Sequence, residues 1–455
     1  MIRAVTVVLL ASLAACVVPR RAGFDDVEKA LAARTRYRVH WNQGTDADRL
    51  VADETRRLLG QELTVSTSVQ IALFNNPDLQ ATYERLGVAQ AAVVQAGLLR
   101  NPRISLHYGF RILESGLDEL VGSVTGAFLD LFLMPLKKKL ANADFARVKL
   151  EVADAVLAKV AAVSQAFFTV QASTQIVAMR QTLLDAQQAA TELALRQHEA
   201  GNLSELDFSV HQAVYAQAKL DLGRAEYQRL ADREQLTRLL GVWGADIDYR
   251  VAAKLPDMPE REPDLVHLER VAIENRFDLA AARAELQAAS DSLRLTKSTR
   301  VIGGLDVGLH AHRDPDGPAT IGPTLDLELP IFDQKQAEVA RLRAQLHAAQ
   351  HRADALAITI RSEVRMARNR LLSARMTVDY FARAMIPLRE KIVALSQEQY
   401  NAMLVGTYQL ITAKQNELHT YREYIEAVRD YWIARADLEH VLGTRLAFAA
   451  QGDRK

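Results

Sequence analysis

Cysteine is almost missing: the 455 residues contain one, Cys16, so an intrachain disulfide and a cysteine metal cluster are both excluded. No charge sign is in excess, with 56 basic and 56 acidic residues, and no basic stripe stands out, so no nucleic-acid partner is expected. Proline and glycine are absent between Leu136 and Ala200, and only Pro387 interrupts Ile331–Val405. Such tracts are far longer than an ordinary globular helix. A single helix over 140–198 would run ~90 Å at ~1.5 Å per residue, too long for a compact domain. Beyond residue 15 no uninterrupted apolar run of ~18 residues occurs, so no transmembrane helix is expected. Serine-elbow, phosphate-loop and zinc-protease motifs are lacking too. Combined with so much repetitive helix, that leaves no expectation of catalysis or of a cofactor.

What is there is helix-forming and amphipathic. Hydrophobic residues make up 49%, which rules out a disordered polymer, and both charge signs are interspersed as on solvated helix faces. Residues 1–15 read as a signal peptide, with Arg3 in the n-region, Val5–Leu10 as the apolar h-region and a small-residue exit at 11–15. Leu13-Ala14-Ala15-Cys16 resembles the bacterial lipobox, which makes Cys16 the expected lipidation site. Val17 follows instead of the Asp that retains such lipoproteins at the inner membrane, which favours the outer membrane by analogy. An ordinary secretory signal with an unrelated cysteine is the alternative.

The chain repeats itself. Val271-Ala272-Ile273-Glu274-Asn275 lines up with Ile71-Ala72-Leu73-Phe74-Asn75 at an offset of 200. The apolar seam Leu79, Leu86, Ala89, Val93 is matched by Leu279, Leu286, Ala289, Leu293, at helix-stripe spacing. Pro135 answers Pro330, Gly201 answers Gly406, and Leu240-Gly241 answers Leu442-Gly443. Each half therefore reads helix, two strands, very long helix, glycine turn, long helix. The expected organisation is a 16–62 leader, a first repeat over 63–255, a proline-marked linker at 256–263, a second repeat over 264–445 and a 446–455 tail.

The strands set the class. From Arg103 to Ile112 the residues alternate without a break. Ile104, Leu106, Tyr108, Phe110 and Ile112 share one face; Arg103, Ser105, His107, Gly109 and Arg111 share the other. The pattern recurs over 304–312, where Asp306, His310 and His312 fall on the polar face, and over 321–331, where Asp326 and Glu328 do. Pro323 is placed near the start of that fourth strand. The second strand, near Val121–Met134, is expected from symmetry alone, because Phe128 and Phe132 fall with Asp130. Segments of ~9–11 residues with apolar-out, polar-in alternation suit a transmembrane barrel. Four strands close around nothing and open edges are not tolerated in lipid, so oligomerisation is inferred. The fold class is mainly α with transmembrane β.

The segments Leu73–Leu79, Ala96–Pro102, His198–Asp207, Leu329–Asp333 and Tyr400–Gly406, in this order and duplicated, resemble the TolC-type outer-membrane efflux channel family. The resemblance spans roughly 63–445. It implies a homotrimer in which four strands per chain build a twelve-stranded barrel above long coiled-coil helices forming a periplasmic α-barrel. It implies a periplasmic adaptor and an inner-membrane transporter of the RND type, with outer-membrane lipid around the barrel. Pro135 and Pro330 would stand at strand-to-helix junctions, and Gly201 and Gly406 at the periplasmic turns. Glu205, Asp207, Thr412 and Gln415 would be candidates to line the aperture, although the second half lacks an acidic residue at the matching distance. For Glu205 and Asp207 the plainer reading is favourable charge at a helix N-terminus.

The lumenal face would carry Arg103, His107, Arg111, Asp306, His310, His312, Asp326 and Glu328. Metal binding by His310 and His312 suits a heavy-metal pump, but no third ligand is visible, so polar lining is the plainer reading and no metal is assigned. Lys137-Lys138-Lys139 reads as an interfacial anchor or as solvated helix surface. The function expected is a passive conduit for small molecules or metal ions across the outer membrane, opened by the adaptor. The alternatives are a lipid-anchored periplasmic scaffold or adaptor, and the outer-membrane part of a type I protein secretion system.

Overall fold

The computed structural model describes residues 19, 21, 23–109, 119–300, 304–313 and 318–446. The expected signal peptide and Cys16, strand residues Phe110, Arg111 and Ile112, and most of the tail lie outside the described residues.

The chain divides into two compact units, Met1–Val27 with Tyr83–Val152 and Phe277–Ala357, and Glu28–Thr82 with Ala153–Arg276 and Ile358–Lys455. Each draws on both sequence halves. The elements in order are α1 (Phe24–Ala32), α2 (Asp46–Leu59), β1 (Glu62–Leu63), α3 (Val65–Asn75), α4 (Pro77–Ala96), β2 (Arg103–Gly109), β3 (Glu119–Ala127), α5 (Phe128–Glu199), α6 (Glu205–Leu240), β4 (Arg250–Val251), α7 (Leu268–Asn275), α8 (Phe277–Thr299), β5 (Leu305–Arg313), β6 (Ala319–Leu327), α9 (Gln336–Tyr380), α10 (Ile386–Asn401) and α11 (Thr407–Leu442).

The first unit holds an antiparallel sheet in the order β2-β3-β5-β6. Leu86, Ala89, Val93, Leu279 and Leu293 of the expected seam are buried, and Leu286 and Ala289 half-buried. Three strand expectations need correction. The second strand is β3, which ends at Ala127, and Phe128 opens a helix. Phe128 and Phe132 stand one helical turn apart with their rings edge to face at 5.4 Å, and Asp130 takes Arg100 and Lys137 as ion partners. That i, i+4 contact is what broke the two-residue alternation. Pro135 consequently lies inside α5, not at the handover. The fourth strand stops at Leu327, and Pro323 is its middle residue. Pro323 leaves β6 one ladder donor short at its centre, and among the described residues β6 has β5 as its one neighbour. Pro330 stands between β6 and α9.

The second unit is tied at the end of α6 by two asparagines, and of that arrangement only the glycine packing recurs in the second half, where Asn275 Nδ2 donates to Val271 O of its own helix. Asn76 separates α3 from α4; its Oδ1 accepts from Leu79 N at 3.1 Å, capping α4, while its Nδ2 donates to Leu239 O at 2.9 Å. Asn75 Nδ2 donates to Gly241 O at 2.7 Å. Two adjacent asparagine amides thus satisfy carbonyls at the end of α6 that the helix itself leaves open. Gly241 closes α6 in the left-handed conformation, φ 72°. In the second half Gly443, φ 66°, ends α11 against Asn275 and Arg276. Arg276 replaces the second asparagine and pairs with Glu363 at 2.5 Å. Between α9 and α10, Phe381–Met385 form a π-turn, and Ile386 N donates to Phe381 O. Pro387 follows directly; it supplies no donor and needs room for its ring, which a widened turn provides.

Part of α5 is long and apolar enough to cross a membrane, where no such run was expected. Over half of it is buried within the chain, as in a core helix.

Candidate membrane-spanning sheet and helix turns

The register of the sheet sorts its side chains. Ser105 pairs with Ser123, Ser123 with His310, and His310 with Gly322. Partners in an antiparallel ladder point to the same face. One face therefore carries rows running His107–Val121–His312–Thr320, Ser105–Ser123–His310–Gly322, Arg103–Thr125–Gly308–Thr324 and Ala127–Asp306–Asp326. The other carries Ile104, Leu106, Tyr108, Leu120, Val124, Val307, Leu309, Ile321, Leu325 and Leu327. Of the expected lumenal set, Arg103, His107, Asp306, His310, His312 and Asp326 come together on the polar face. Glu328 lies one residue beyond β6, where its Oε2 accepts from Gly304 N at 3.0 Å. Arg111 is outside the described residues.

Among the described residues nothing covers the apolar face. Ile104 is 75% exposed, Leu106 72%, Ile321 78% and Leu325 67%. Burying a Leu or Ile side chain contributes roughly 1.5–3 kcal/mol, so a row of them left bare has its solvent elsewhere. The outer edges of β2 and β6 likewise have no partner strand among the described residues.

At the base of the sheet Lys137 Nζ lies 2.8 Å from Asp130, and Lys139 Nζ 3.1 Å from Asp291. Two of the three consecutive lysines are thus engaged in ion pairs and not in a purely solvated or lipid-directed surface.

The helix turns belong to the second unit. After α5, Gly201 takes φ 77°, and Asn202 N donates to Gln197 O at 2.8 Å, which satisfies a terminal carbonyl. After α10 the residue in that place is Met403, φ 58°, with Leu404 N donating to Gln399 O at 2.9 Å. Gly406 is therefore not the counterpart of Gly201, as its spacing suggested. It is the N-cap of α11, φ −82°, and matches Ser204, the N-cap of α6.

The aperture candidates fall into place accordingly. Ser204 Oγ donates to Asp207 Oδ2 at 2.7 Å and accepts from Asp207 N at 3.1 Å. Glu205 Oε2 lies 3.0 Å from His198 Nε2, and the His198 ring stacks on Phe208 at 5.3 Å. Both acidic side chains are engaged in closing the turn, consistent with the capping reading. Thr412 donates to Tyr408 O at 2.8 Å within its own helix. Gln415 lines a cavity of about 330 Å³ with Arg180, Asp221, His419 and Arg422, and Arg180 pairs with Asp221 at 3.2 Å. The sequence reading named Gln415 but not its companions, because Arg180, Asp221 and the 415–422 segment lie 41 residues and more apart with no shared motif.

Residues 68–242 match the family described as outer membrane efflux protein. The cobalt-zinc-cadmium resistance protein CzcC of Cupriavidus metallidurans is 27% identical over 406 residues, covering 86% of this chain and 89% of that protein. The fold is that of the Campylobacter jejuni CmeC outer membrane channel, with a TM-score of 0.70 or better, namely 0.72, at 14% identity, over 91% of this chain and 92% of that one. The open-state Neisseria gonorrhoeae MtrE outer membrane channel gives a TM-score of 0.66 at 16% identity, over 87% and 91% of the two chains. A duplicated helical chain carrying a two-faced sheet thus resembles the outer membrane efflux protein family over residues 68–242 and shares its fold with outer-membrane channels over most of its length.

Proposed function

We propose that three copies of this chain form an outer-membrane conduit that exports divalent metal ions, with a periplasmic adaptor and an RND-type inner-membrane transporter completing the pump. The observation that carries the trimer is the sheet itself: four strands, one bare apolar face, one polar face and two unpaired edges. In hydrocarbon every backbone N–H and C=O needs a partner, so β6 of one copy must pair with β2 of the next until the wall closes. The polar face then lines the lumen and the apolar face meets lipid, as transmembrane barrels require. Cys16 is the proposed lipid anchor on the strength of its lipobox-like flank.

The metal class rests on the relationship to the cobalt-zinc-cadmium resistance protein. It also fits the polar face, whose charged side chains include Asp306 and Asp326 set directly opposite one another. The conduit performs no chemistry. Its opening is proposed as a two-state shift of the helix turns on adaptor docking, driven by the adaptor's higher affinity for the open state. Membranes of a strain lacking the gene, complemented with the full chain, should regain tolerance to zinc, cobalt or cadmium together with a detergent-extractable trimer. A monomer that is soluble without detergent would overturn the conduit reading. A trimer that restores tolerance only to organic drugs would overturn the metal class.

A further inference from the structure

The polar face of the sheet contains an imidazole pair built differently from its surroundings. His310 and His312 stand two residues apart on β5 and face the same way. At ~3.3 Å rise per residue their backbones are ~6.6 Å apart, a separation from which two imidazole nitrogens can reach one ion at ~2.0–2.1 Å each. The neighbouring strand makes room for them. Gly322 lies opposite His310, and a side chain there would meet the His310 ring, with Cε1 only 3.2 Å from the Cβ position. His310 therefore lies in a notch left by a glycine, and its Nδ1 is buried with no hydrogen-bond partner. A buried ring nitrogen without a partner costs free energy, which a ligand or bound water on the ring offsets.

We infer that His310 and His312 chelate a borderline transition-metal dication, zinc, cobalt or nickel, as a weak transit site on the lumenal wall. Imidazole suits these ions, whereas the oxygen-only rows nearer Asp306 suit harder ones. Among the described residues of one chain no three acidic, imidazole or thiol side chains converge on a metal position. The pair is therefore a two-ligand site whose other positions are taken by water. That is what a conduit requires: contacts strong enough to admit an ion and weak enough to release it. His107 lies in the row of His312 with Val121 between them, two strands or ~9.6 Å away, so it is a next contact along the wall and not a third ligand. The inference rests on the reading of this face as the lumen.

The test uses the full chain extracted in detergent, with its trimer verified by heat-modifiable electrophoretic migration, and Zn²⁺ alone as the probe in equilibrium dialysis. His310→Gln with His312→Gln should weaken the tightest zinc binding by at least about tenfold, and His107→Gln by no more than about twofold. Unchanged zinc binding in a trimeric double variant would overturn the chelate while leaving the barrel intact. Failure of the unaltered protein to form a trimer would instead remove the lumen reading. Should only the double variant fail to assemble, diethylpyrocarbonate labelling of the unaltered trimer decides: zinc must protect His310 and His312, and equal labelling with and without zinc would refute the site.

Discussion

Replacing each of three left-handed glycines by alanine provides a graded test of how the helix ends are held. At Gly201, φ 77°, an added Cβ would have nothing within 4 Å, so Gly201→Ala meets only the backbone cost of the left-handed region, ~1–2 kcal/mol. Gly241, φ 72°, carries the same backbone cost and a collision besides. Its Cβ would lie 2.8 Å from Asn76 Cα, 2.9 Å from Asn75 O and 2.9 Å from Pro77 Cδ. Two of those atoms are backbone, pinned by the asparagine bonds to the end of α6, so they cannot rotate away. Overpacking of that kind adds ~1–3 kcal/mol, giving ~2–5 kcal/mol in all for Gly241→Ala. Gly443, φ 66°, should fall between, since its nearest neighbours are Asn275 O at 3.1 Å and Arg276 Cα at 3.2 Å. The assay is the midpoint of thermal loss of the trimer at one fixed heating rate, read with amide exchange at residues 237–242. The midpoint should fall in the order Gly201→Ala, Gly443→Ala, Gly241→Ala, with faster exchange at 237–242 only in the last. A Gly201→Ala loss as large as that of Gly241→Ala would refute the asparagine-to-helix-end contact as the source of the constraint.

Two further predictions concern half-buried carboxyls of the second unit. Glu262 accepts from Arg375 Nη1 at 2.7 Å and Tyr431 OH at 2.6 Å, with Arg435 Nη1 at 3.4 Å. Glu262→Gln removes the carboxylate shared by the largely buried Arg375 and Arg435, which keep Asp379 and Glu439 respectively as nearby carboxyls, so a loss of ~1–3 kcal/mol is expected by denaturant or thermal midpoint. Burial, and then the Glu262 carboxylate, push the Tyr431 phenol up to about 12. Glu439 differs, because burial holds its carboxyl above the usual range and Arg435 only partly counters this. In the unfolded chain Glu439 ionises first, so the folded state loses stability as pH rises from about 4.5 towards its raised value. Glu439→Gln removes that penalty: its melting point at pH 7 should exceed the parent's, and the two should converge below pH 4. Convergence at pH 7 and divergence in acid would contradict the assignment.

How far the fold could be read from the residues depended on how local its cause was. β5 was legible because Asp306, Gly308, His310 and His312 alternate with Val307, Leu309 and Ala311 on a single strand. β3 was not, because Gly122 and Gly126 leave gaps on its apolar face and Val121 sits among the polar rows. The ring contact of Phe128 with Phe132 belongs to the following helix. Asn75, Asn76 and Gly241 were visible as landmarks, but their joining depends on a contact across some 166 residues. Gly406 drew attention as a turn glycine, yet the left-handed position went to Met403, against the usual preference of that conformation for glycine. Ser204 and Asp207 were decided by capping chemistry, which their spacing already contained. The Arg180–Asp221 pair and the cavity beside Gln415 are products of packing alone.

The most direct measurement is a single-cysteine scan of Leu305–Arg313 in a Cys16→Ser background, with spin labels read in lipid bilayers. Labels at Val307, Leu309 and Ala311 should relax with oxygen, which concentrates in hydrocarbon, and those at Asp306, His310 and His312 with a water-soluble reagent; Gly308 is left unaltered, because a Cβ there would collide with Val124 O. Accessibility to the aqueous reagent at every position, or a period near 3.6 residues in place of two, would contradict a strand standing between lipid and a water-filled lumen.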